Sequence, residues 1–91
     1  MGAYMLSNTE KNRTKVDIYG QPYTIVGTES SGHIRLVASM VDETMRQIST
    51  KNPSLDINKL AVLTAVNAMN DYIKLKDEFE RLEEELNRVK E

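Results

Sequence analysis

Cysteine is missing from all 91 residues. Its absence excludes disulfides and thiolate zinc sites, and gives the chain nothing to gain from an oxidising compartment. An excess of one charge is missing too: 12 basic and 14 acidic residues leave a formal charge of −2. A general nucleic-acid binder needs a clustered positive face to displace counterions, so that class is disfavoured. No apolar run approaches the ~20 residues that span a bilayer. The opening MGAYMLSNTEKNR has neither the basic start nor the continuous apolar core of a secretory signal, so a cytoplasmic protein is expected.

Catalytic equipment is equally sparse. The one histidine, His33, has Glu29 a turn before it, and two ligands without a third make a poor metal site. Ser30, Ser31 and His33 crowd one helix start, where capping accounts for the serines. Glu83, Glu84 and Glu85 splay around a helix instead of converging on a substrate. Gly20 and Gly27 are isolated turn glycines, unlike a phosphate-binding loop. Neither an enzyme nor a bound metal or cofactor is expected.

What is present has order. Residues 1–13 are polar and aperiodic and read as a flexible tail. From Thr14, Val16 and Ile18 alternate with Lys15, Asp17 and Tyr19, the period of a half-buried strand. Gly20, Gln21 and Pro22 punctuate, and YTIV resumes a second strand, giving a β-hairpin. Pro22 belongs at the turn or the very start of that strand, because it cannot donate to a ladder. Tyr19 points away from Val16 and Ile18, free to meet another subunit or a target.

A helix follows, capped by Ser30 or Ser31. Ile34, Val37, Ala38, Val41, Met45 and Ile48 recur at threes and fours as one apolar stripe, with Arg35, Asp42, Glu43 and Arg46 off it. Lys51-Asn52-Pro53 stops this helix, since proline disfavours helical geometry in the preceding residue. Asp56 then caps a second helix with no proline or glycine through Glu91, about 35 residues or roughly 50 Å. No domain of this size buries so long a helix along its whole length.

The second helix changes character midway. Ala61, Ala65, Ala68, Tyr72, Leu75, Phe79, Leu82, Leu86 and Val89 alternate four and three apart, the seam of a coiled coil. Over residues 55–75, Ile57, Leu60, Val62, Leu63, Val66, Met69 and Ile73 surround that seam on other faces. This base needs cover on several sides, from the hairpin, the first helix and a second copy. Over residues 76–91 only the seam stays apolar. Met40, Met45 and Met69 read as core filler more than as an adaptable groove. In a parallel dimer Asp71–Lys76 and Glu85–Lys90 attract while Glu78–Glu83 repel, which leaves antiparallel and four-stranded arrangements open. The expected fold is α+β: a head of hairpin and helix over 14–54, then a long helix over 55–91 forming an oligomeric coiled coil.

The strings VDIYGQPYTIVGTES and KNPSLDINKLAVLTAVNAMNDYIKL, followed by the charged seam, resemble the ZapA family of bacterial cell-division proteins. VDIYG at 16–20 and LDINKLAVLTAVN at 55–67 are the most specific parts, and the likeness spans 14–91. The resemblance implies heads dimerised at the base of the long helix and coiled coils joining two dimers into an elongated homotetramer. It implies a partner, polymerised FtsZ, whose filaments would be aligned or cross-linked in the Z-ring at the division site, with no role for nucleic acid or membrane. The charged and polar positions left over on the first helix and its following loop, Arg35, Asp42, Glu43, Arg46, Lys51 and Asn52, are the candidates for the FtsZ-binding surface. Two other classes share the pattern: a ribbon-helix-helix DNA-binding dimer, and a coiled-coil adaptor for some other partner. The first needs groove-reading basic or amide side chains where this strand offers Lys15, Asp17 and Tyr19.

Overall fold

Alternation along the chain becomes a small sheet laid on a helix. The computed structural model describes residues 3–5 and 11–90. Strand β2 (Asn12–Ile18) pairs antiparallel with β3 (Gln21–Gly27), and β1 (Ala3–Met5) pairs parallel with the other edge of β3, giving the order β1-β3-β2. Helices α1 (Ser31–Lys51) and α2 (Ile57–Lys90) follow.

Ile18 faces Gln21, so Tyr19 and Gly20 alone make the turn. Both have positive φ, 51° and 79°, the requirement of a type I′ hairpin whose twist matches the strands. Residues flanking a two-residue loop exchange both ladder bonds, so the next pair, Asp17 and Pro22, makes none. The missing N–H of Pro22 therefore costs the β2–β3 ladder nothing.

Period-2 alternation sends Thr14 and Val16 to one face, where both are buried. There Val16 packs with Ile34 and Ala38 of α1, joined by the half-buried Ile18, Tyr23 and Ile25. Thr14 is 1% exposed, and its hydroxyl is satisfied by Ser31 Oγ at 3.0 Å. Ser30 caps α1, its Oγ accepting the His33 N–H at 3.1 Å. Asp56 caps α2, Oδ1 accepting the Lys59 N–H at 2.9 Å. Asn52 closes α1 through its backbone N–H to Ile48 O at 2.9 Å, one residue before Pro53.

Two expectations change. Residues 1–13 are not all tail: Ala3–Met5 forms β1, and Asn12 and Arg13 extend β2. A three-residue strand is too short to show a period, and the polar Asn12 and Arg13 carry no hydrophobic signal. The remainder of that segment, 1–2 and 6–10, lies outside the described residues. The α1 stripe is also narrower than expected: Ile34, Ala38 and Met45 are buried, Val41 and Ile48 half-buried, and Val37 exposed. Val37 lies at the rim of the stripe, beyond the reach of the sheet.

Candidate interaction surfaces

Helix α2 meets the head at its N-terminal end. Leu60, only 2% exposed, and Thr64 are its buried positions, and Thr64 returns its hydroxyl to Leu60 O at 2.8 Å. From Ala65 to Val89 every side chain is exposed. The whole seam is exposed: Ala61, Ala65 and Ala68, then Tyr72, Leu75, Phe79, Leu82, Leu86 and Val89, with Phe79 59% exposed and Leu75 67%. Ile57, Val62, Val66, Met69 and Ile73 are exposed on the other faces of the base. Large apolar surface of this extent marks an interaction site, since isolated helices depend on packing for stability.

The head adds apolar surface that spacing alone did not single out. Leu36, Val37 and Met40 lie exposed on α1. Of the three methionines expected as filler, Met45 is buried while Met40 and Met69 are exposed. The signal was available: Leu36 and Met40 are one turn apart, off the core-facing stripe.

The head candidates fall into two groups. Arg35, Asp42 and Arg46 share one flank of α1 and line a groove with Lys15 and Asp17 of β2. Asp42 Oδ2 accepts from Arg46 Nε at 2.9 Å, and Oδ1 accepts the backbone N–H of Tyr19 at 2.7 Å. The Arg46 hydrogen bond, with help from the Tyr19 N–H, holds the Asp42 carboxyl below the usual carboxylate range. Glu43, on the adjoining face, accepts from Gln47 Nε2 at 3.4 Å. Lys51 and Asn52 sit at the far end of α1, where Lys51 is exposed and Asn52 is engaged in closing the helix, its Nδ2 3.2 Å from Ile48 O.

Tyr19 is not free, as alternation suggested. Its hydroxyl donates to Ser49 Oγ at 3.0 Å, and the Arg46 guanidinium lies 5.4 Å from its ring centroid. The left-handed backbone at Tyr19 turns the side chain onto α1, where alternation would send it outward. His33 is exposed at the start of α1. Among the described residues no helix is long and apolar enough to cross a membrane.

The sequence model for "Cell division protein ZapA" matches residues 14–91. The chain belongs to the ZapA family. A ZapA from Geobacillus sp. (strain WCH70) is 64% identical over 86 residues, covering 94% of this chain and 99% of that relative. The ZapA of Bacillus subtilis (strain 168) is 59% identical over 81 residues, 89% of this chain and 95% of its own. A solved structure, a ZapA mutant dimer from Geobacillus stearothermophilus, superimposes with a TM-score of 0.69 at 55% identity, covering 90% of this chain and 95% of that one. Membership of the ZapA family makes this a cell-division protein, and the antiparallel hairpin followed by two helices is its fold.

Proposed function

We propose that the chain assembles through the exposed seam of α2 into a symmetric homo-oligomer whose duplicate heads bind FtsZ polymers and cross-link them as the Z-ring forms. It acts without catalysis, in the cytoplasm at the bacterial division site. One observation carries the proposal: Leu75, Phe79, Leu82, Leu86 and Val89 repeat at the coiled-coil spacing, and all are exposed in a single copy. Burying them between copies contributes about 1.5–3 kcal/mol each. The relative from Geobacillus stearothermophilus is a dimer, which supports self-association here. Pairing of the bases over 55–75, and of the stalks over 76–91, builds a homodimer and then a homotetramer with heads set apart.

Duplicate heads turn weak single contacts into avidity through effective concentration, provided the geometry reaches both filaments. The FtsZ-binding surface is assigned to Arg35, Asp42, Glu43, Arg46, Lys51 and Asn52. Electron microscopy of FtsZ filaments with and without the protein tests the proposal. Bundles or paired filaments at regular separation are expected, and unaltered single filaments would reject cross-linking.

A further inference from the structure

The sheet order leaves β2 at an edge. Counting from the two-residue turn, Ile18, Val16, Thr14 and Asn12 exchange ladder bonds with β3, so Arg13, Lys15 and Asp17 turn their N–H and C=O groups outward. Outside the ladder, no hydrogen bond among the described residues uses the backbone of Lys15 or Asp17. β2 also lacks the proline that commonly blunts such an edge.

This edge is flanked by a wall. Arg35, Ser39, Asp42 and Arg46 of α1 stand across from Lys15 and Asp17 in a groove of about 590 Å³. That volume is within the ~300–1,000 Å³ of ordinary ligand sites. A strand edge beside a helix is the geometry in which an extended peptide adds as a further strand and packs alternate side chains against the helix.

Charge selects among peptides. Asp42 is already matched by Arg46. Among the described residues Arg35, Lys15 and Arg13 have no ion-pair partner, and neither has Asp17, which follows Lys15 on the same outward face of β2. Arg13 and Lys15 lie on the sheet face away from α1, Arg35 on the helix, so an added strand meets a free cation from either face.

We propose that the β2 edge takes up an extended, acidic segment of a partner protein, which pairs with the outward backbone groups of Lys15 and Asp17 and sets a carboxylate against Arg35. The proposal goes beyond the FtsZ reading because it does not depend on which protein supplies the segment. Its test contains no FtsZ, so its failure leaves cross-linking standing.

The probes are two fluorescent decapeptides, one alternating Glu with Val and Thr, the other carrying Lys in place of Glu. Titrated against the full chain, the Glu peptide binds and shifts the backbone amides of Lys15 and Asp17. Arg35→Glu weakens it by about tenfold, the loss of a charge-assisted contact. Lys15→Pro deletes one outward donor without touching the β3 ladder, so it abolishes binding at unchanged melting temperature, while Lys15→Gln retains most of it. Should Lys15→Pro fail to fold, a Glu peptide N-methylated at alternate residues reads the same hydrogen bonds and is expected not to bind. Equal binding of the Lys peptide, retained binding of the methylated one, shifts confined to α2, or no binding at about 1 mM overturns the proposal. Concentration-dependent shifts of the same amides without peptide overturn it too, in favour of a second copy at this edge.

Discussion

The backbone N–H of Tyr19 donates to Asp42 Oδ1 at 2.7 Å, across 23 residues of sequence, while Arg46 holds the other oxygen of the same carboxylate. One side chain thus fixes the hairpin turn to the middle of α1. Asp42 titrates at a lower pH folded than unfolded, so its contribution is fully present above the ordinary aspartate value of 3.8 and is lost as pH falls below it. Asp42→Asn is expected to melt earlier than the parent at pH 7 and to lose part of the parent's decline in acid. Thermal melts from pH 7 to pH 2 check this, and parallel acid profiles would contradict it.

Gly20 has open space where a Cβ would be, but its φ of +79° lies in the left-handed region. Gly20→Ala therefore costs conformational strain alone, roughly 1–2 kcal/mol, with no steric clash to add. Gly32, in α1 and likewise with open space around it, lacks that φ, so Gly32→Ala is expected to stabilise by about 0.5–1 kcal/mol. Opposite signs for the two substitutions in urea unfolding are the expected result.

Leu60 is the most buried side chain of α2. Truncation to Ala is expected to destabilise the fold by about 2–5 kcal/mol, transfer and cavity effects together. The measurement belongs at fixed protein concentration, since association raises apparent stability. An effect below about 1 kcal/mol would mean that the site collapses around the gap.

Leu82→Glu puts a charge into the exposed seam without touching the head. Sedimentation is expected to show smaller assemblies, and circular dichroism a loss of helix in the stalk, because that segment depends on packing. FtsZ bundling should fall in parallel. Unchanged sedimentation would remove the seam from the assembly.

Charge reversal at Arg46 and Lys51 together probes the assigned FtsZ surface. FtsZ co-sedimentation is expected to drop while the oligomer stays intact. Wild-type bundling by such a variant would reject that surface.

Much of the architecture was readable because it rests on short-range rules. The alternation of Thr14, Val16 and Ile18 gave β2, the Ser30-Ser31 pair and Asp56 gave both helix starts, and Asn52-Pro53 gave the break between helices. β1 was hidden because parallel pairing with β3 leaves no mark on three residues. The role of Tyr19 was hidden because it follows from a left-handed backbone and from contacts made 23 and 30 residues away. Of the six head candidates, five charged and one amide, α1's own spacing brings Arg35, Asp42 and Arg46 to one flank. The groove they share with β2 depends on how sheet and helix pack, which spacing does not encode.

The narrow seat of α2 on the head has a mechanical side. Leu60 and Thr64, one turn apart, are the buried positions from which the exposed stretch 65–89 extends about 37 Å at 1.5 Å per residue. A ten-degree tilt at that pivot would carry the tip sideways by roughly 6 Å, more than the ~4.8 Å between neighbouring strands. In a single copy the tilt of the rod is therefore set at this joint, and a bulkier or smaller residue at Leu60 should retune the lever before a second copy pairs with the base.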